Sequence, residues 1–139
     1  MAKDRLDLRP LRNNFNRCKR ILPKALGEDA KNFFLRDYRR GGFSDRSFKK
    51  WRPRKGNKDA GRALLVKSGR LRNSIRVQER TATRVTVGTR GIRYAAIHNE
   101  GKGGQPERKF IGDSKLLRNK LSKTIVQELN LCIKRTLKR

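Results

Sequence analysis

One histidine, two cysteines and twelve acidic residues leave this chain of 139 residues short of the groups most enzyme chemistry uses. Cys18 and Cys132 lie near opposite ends, each inside an apolar helical pattern, and are expected as two small buried hydrophobes. With His98 they form no metal-ligand spacing, so neither a metal nor a cofactor is expected. Ser68 and Ser74 lack a nucleophile-elbow context, and Gly101 to Gly104 lacks both dinucleotide and phosphate-loop spacing. His98, between Ile97 and Asn99, is expected as a satisfied structural residue. Enzyme catalysis is not expected. No apolar run reaches the roughly 18 residues that read as a bilayer span, and MAKDRLDLRP lacks a signal-peptide core. The expected place of synthesis is therefore cytosol-like, with no membrane partner.

Aromatic residues are also few: six Phe, two Tyr and one Trp. A chain of this length should form one domain burying roughly two thirds of its unfolded surface. With apolar residues at 34%, the core is thin, and a helical extension or an assembly surface is expected.

What the chain has in excess is positive charge. Thirty-nine Lys and Arg against twelve Asp and Glu give a net charge of +27. Self-repulsion at that level disfavours compactness and calls for an anionic neighbour.

The single domain, 1–139, reads in three parts: a helical part over 1–41, a loop and sheet core over 43–112, and a helix over 113–139. Leu11, Phe15, Cys18, Leu22, Leu26, Ala30 and Phe33 recur at helical spacing. Asp7 can cap the start, Pro23 predicts a kink or break near Leu22, and Gly41 and Gly42 stop the helix. Between Phe43 and Gly61 an irregular segment interleaves Phe43, Phe48 and Trp51 with Arg46, Lys49, Lys50, Arg52, Arg54, Lys55 and Lys58. The aromatics are expected to anchor this loop. Lys49, Lys50, Arg52, Arg54 and Lys55 are the candidates for an anionic partner, although a solvated face would look the same.

Alternation over Arg72–Arg80 and Arg84–Thr89, separated by Thr81-Ala82-Thr83, predicts a β-hairpin, with Tyr94–His98 and Phe110-Ile111 as further strand candidates. Asn99 to Lys109 is a glycine-rich loop. Asp113 is expected to cap the last helix, whose face is Leu117, Leu121, Ile125, Leu129, Cys132 and Thr136, ending in Lys134, Arg135, Lys138 and Arg139. The fold class is α+β: a small antiparallel sheet built on the hairpin, packed against long N-terminal (kinked near Pro23) and C-terminal helices. Trp51, Gly69, Leu71, Gly88, Tyr94, His98, Pro106 and Phe110 read as fold-defining, with Tyr94 pinning a strand end and Pro106 fixing the entry of Phe110 into the core.

The order of the central blocks carries a resemblance. Trp51 in a basic loop is followed by LVKSGRLRNSI (65–75), Val87-Gly88-Thr89, YAAIH (94–98), Gly101 and PERKFIG (106–112). Over about residues 43 to 125 this resembles the phage virion morphogenesis family, the tail-completion proteins of tailed bacteriophages. Glu100 and Lys109 depart from it, standing where an apolar residue and a second proline are usual. The resemblance implies a structural virion protein of the head–tail junction, a neck or tail-terminator-like ring subunit made in the host bacterial cytoplasm and kept at the neck or tail end. A hexameric homo-oligomer is favoured, with other head–tail junction or tail proteins and packaged DNA as partners. Arg84, Thr86, Glu100, Lys102, Gln105 and Arg108 are the candidate subunit contacts. A free-standing, ribosomal-protein-like nucleic-acid binder is the other reading of the charge.

Overall fold

Between a proline in the first turn and a left-handed glycine, the N-terminal stripe forms one helix. A computed structural model describes residues 7–56 and 59–137; Lys58, Lys138 and Arg139 and the side chain of Thr136 lie outside the described residues. Helix α1 (Arg9–Arg40, 32 residues) starts where the Asp7 carboxylate accepts the Arg9 N–H at 3.0 Å and stops at Gly41, whose φ of 71° costs glycine no Cβ clash. It continues through Pro23 without a break.

Gly42–Ser44 (β1) and Phe48–Lys50 (β2) pair antiparallel inside the segment read as irregular. Gly42 is required there: a Cβ would lie 2.4 Å from the Lys49 carbonyl oxygen. After a loop come α2 (Arg70–Ser74) and the expected hairpin, β3 (Ile75–Arg80) with β4 (Val85–Thr89). The two hairpins are separate two-stranded sheets. Tyr94–His98 does not add a strand. Instead Ala95–Glu100 is a short helix, α3, stopped by Gly101 at φ 69°, and Phe110-Ile111 lies outside any strand.

Helix α4 (Lys115–Leu137, 23 residues) follows. Its cap is Ser114 and not Asp113. The Ser114 hydroxyl accepts the Leu117 N–H at 3.0 Å while donating to the Ser44 carbonyl at 2.6 Å. The Asp45 carboxylate accepts the Lys115 N–H at 2.9 Å, so the β1–β2 turn seats the helix start. Asp113 pairs with Arg118, its carboxylate held below the ordinary range by that guanidinium.

The α1 and α4 faces meet antiparallel. Thr124 donates to Asp29, Lys120 lies 3.5 Å from Asp29, and Cys18 is disulfide-bonded to Cys132 with Cα atoms 6.2 Å apart. The cysteines are therefore joined, and not two separate hydrophobes. Gly27 on α1 lets the second hairpin approach: a Cβ there would lie 3.1 Å from Val77 Cγ2 and 3.2 Å from Val85 Cγ1.

The core gathers Phe33, Phe34 and Tyr38 of α1 with Phe43, Trp51, Leu71, Ile75, Phe110 and Leu117. Phe34 stacks on Phe43, and Tyr38 meets Trp51 and Phe110 edge-on at 5.2 and 5.7 Å between centroids. Asp37 is fully buried in it: its carboxylate accepts the Ser44 N–H at 2.7 Å and meets Arg36 and Arg40. Among the described residues, no helix is long and apolar enough to cross a membrane.

Candidate functional site

Two long loops converge on Trp51 and Arg108. The Trp51 indole N–H donates to the Lys109 carbonyl at 2.6 Å, joining segments 58 residues apart. Arg108 donates through Nε to the Arg52 carbonyl at 3.2 Å and through Nη2 to the Pro53 carbonyl at 3.5 Å. It is 7% exposed, and the partners of its guanidinium are neutral carbonyls. Burial, and then the charge of Arg54, lower its pKa from the ordinary value. Arg54 in turn donates to the carbonyls of Asp59, Arg62 and Ala63.

Helix α3 shapes the glycine-rich loop. The Asn99 side-chain carbonyl accepts the N–H groups of both Phe110 and Ile111, at 2.9 and 3.1 Å. The His98 carbonyl accepts the Arg108 N–H, and at Gly101 a Cβ would lie 2.8 Å from the Glu107 nitrogen. The loop is thus closed at its base by backbone contacts that leave no room for a side chain.

Between these loops lies a cleft of about 980 Å³, lined by Arg52, Arg54, Lys55, Lys67, Arg70 and Arg108 and by the apolar Leu64–Val66, Leu71 and Tyr94. Asp59, the one carboxylate among its described lining residues, pairs with Arg62. Leu65 in its wall sits at φ 58°, an unfavourable conformation for a leucine, with its carbonyl held by the Tyr38 hydroxyl at 2.7 Å. His98 also borders the cleft. Its Nδ1 is buried without a hydrogen-bond partner, and burial, then the charge of Arg108, lower its pKa. A second cleft, of about 950 Å³, carries Lys49 and Lys50 and shares Arg52, Pro53 and Pro106 with the first.

The residues singled out from the sequence divide accordingly. Gln105 and Arg108 share the first cleft with Arg52, Arg54 and Lys55. Arg108 is a buried brace, not an exposed contact. Glu100 is exposed and paired with Lys102, while Arg84 is exposed and Thr86 half-buried on the second hairpin, lining neither cleft. Trp51, Leu71 and Phe110 are buried as core. Gly69, at φ 73°, precedes α2, and a Cβ at Gly88 would meet the Gln78 side chain at 2.9 Å. Pro106 stands between the clefts. Tyr94 does not pin a strand end: it precedes α3, is 42% exposed and meets His98 edge-on.

Sequence reasoning missed Asp37, Asn99 and Gly27. Asp37 carried a readable signal, a carboxylate four residues after Phe33 in the apolar stripe. Among the described residues, no group of three His, Cys, Asp or Glu side chains could hold a metal ion.

This is a small, strongly basic α+β protein whose convergent loops are braced by backbone-bound arginines. A family model matches residues 35–130, and the chain belongs to the phage virion morphogenesis family. Membership gives it a structural, assembly role in a phage virion. No curated protein and no solved structure matches the chain.

Proposed function

We propose that this chain is a ring-forming subunit of the phage head–tail junction, acting by assembly and not by catalysis, in tail completion or as a connector. The observation that carries this reading is the helical arm. On α1, Leu11 and Phe15 lie one turn apart and are 63% and 56% exposed, although they belong to the stripe that buries Ala30 and Phe33 further along. On α4, Val126 and Ile133, seven residues apart and so on one face, are 57% and 55% exposed. Apolar stripes left open along a helix pair support burial by a neighbouring subunit. Closed rings repeat one head-to-tail contact, which one such stripe on each subunit can supply.

The hairpin edge with Arg84 and Thr86, and the loop carrying Glu100, Lys102 and Gln105, supply polar contacts to the same neighbour. The +27 charge then requires DNA in the channel or acidic surfaces of adjoining virion proteins.

Native mass spectrometry of the purified chain at moderate salt tests the reading. A discrete closed oligomer is expected, and the double variant Phe15→Asp, Ile133→Asp should release folded monomers. A wild-type chain that stays monomeric at every concentration and salt, or a variant that assembles as well as the parent, counts against it. The second reading, a free-standing nucleic-acid binder, draws on the exposed Lys49 and Lys50; it predicts a monomer whose DNA affinity falls steeply with salt.

A further inference from the structure

The first cleft has the build of a ligand site: a volume at the upper end of the usual range and a lining of apolar and cationic side chains. Of the six cations among its described lining residues, Arg54 and Arg108 hold backbone carbonyls, while Arg52, Lys55, Lys67 and Arg70 face one carboxylate, which is taken by Arg62. Two polar groups on its border are left incompletely matched. The buried Arg108 guanidinium is held by neutral carbonyls, and the buried Nδ1 of His98 has no partner. Leu65, in the wall, holds a backbone conformation of the strained kind that clusters at ligand clamps.

Charge complementarity identifies the occupant. An anionic ligand is required, but the lining side chains of Leu64, Leu65, Val66 and Leu71 have nothing to offer a sugar–phosphate backbone. Phosphates of a duplex are met by open basic surfaces, whereas this cleft is concave and its cations stand around apolar side chains. A peptide with carboxylates alternating with apolar side chains satisfies both. A second copy of this chain does not supply it, because no two of the twelve acidic residues stand two positions apart, as alternation requires.

We propose that the cleft between residues 52–55 and 64–71 on one side and the glycine-rich loop on the other binds an acidic, apolar-anchored peptide segment of a different polypeptide. The segment's carboxylates would meet the exposed Arg52 and Arg70 while its apolar side chains settle on Leu65 and Tyr94. The inference is independent of the ring reading, since the site lies within one chain and binding is measured without reference to oligomeric state.

Fluorescence anisotropy on the full chain tests it with three probes of equal length: an alternating glutamate–leucine peptide, an all-glutamate peptide and oligothymidylate. The cleft variant Arg52→Glu, Arg70→Glu is compared with Arg17→Glu, Arg20→Glu, which makes the same change of net charge at exposed sites on α1. Trp51 emission and circular dichroism confirm that both variants are folded. The expected result is tightest binding of the alternating peptide, weakened about tenfold or more by the cleft variant and by no more than about threefold by the control. Oligothymidylate should lose equally in both variants. The proposal is overturned if the alternating peptide does not bind, or binds no better than the all-glutamate peptide. It is also overturned if both variants weaken the peptide equally, or if oligothymidylate shows the cleft-selective loss.

Discussion

Replacing Trp51 with Phe removes one hydrogen-bond donor and part of one ring from the place where the two loops meet the core. Trp51 is 6% exposed, sits edge-on to Tyr38 and donates to the Lys109 carbonyl. Phe keeps an aromatic ring against Tyr38, so most of the packing survives. The carbonyl of Lys109, on a half-buried residue, loses its donor, which costs about 1–3 kcal/mol. The void left by the shorter ring costs about 1 kcal/mol more. The expected loss is therefore about 2–4 kcal/mol, a large share of the 5–15 kcal/mol typical of a whole domain. Urea titration followed by far-ultraviolet circular dichroism measures it. The parent offers a second probe, since its only Trp should emit at short wavelength until the core opens. A Trp51→Phe loss under about 0.5 kcal/mol, within the range of ordinary surface substitutions, would refute the view that this indole ties the loops together.

Three further outcomes follow from particular contacts. Gly27→Ala gains about 1 kcal/mol of helix propensity but presses on Val77 and Val85 at a cost of about 1–3 kcal/mol; it should destabilise the parent and stabilise a Val77→Ala background, a sign change that a double-mutant cycle reads directly. His98 has its pKa lowered by burial and Arg108, so the unfolded chain takes up the proton first; melting temperature should fall as pH drops below 6.5, before the carboxylates titrate, and His98→Asn should flatten that window. Reducing the Cys18–Cys132 bridge, which spans 114 residues, should cost about 2–4 kcal/mol, and Cys18→Ser should remove any response to reductant. An unchanged melt on reduction of the parent would contradict the bridge.

Much of the fold is legible in the sequence. The apolar spacing from Leu11 to Phe33 marked α1, and alternation at Val85 and Val87 marked β4, because in both the side-chain period matches the element. Tyr94–His98 was misread because five residues are too few to separate the two periods; Gly101, with its left-handed cap, decides for a helix. The first hairpin escaped notice because strands of three residues carry no alternation, and its determinant is the close approach of Gly42 to Lys49.

The site was legible in outline only. Its cations were named from the sequence, but Arg54 and Arg108 looked like free charges. Their work is to hold backbone carbonyls, in the case of Arg108 more than fifty residues away, and no local pattern records that closure. The cysteine pair was hidden for the same reason, since only the meeting of α1 and α4 brings the two together.

Immunogold electron microscopy of purified virions, with an antibody against this chain, tests the proposed location most directly. Label confined to the junction between head and tail, at a constant number of copies per particle, is the predicted result. Particles without label, or with label spread over the capsid or along the tail, would contradict the assignment to the head–tail junction.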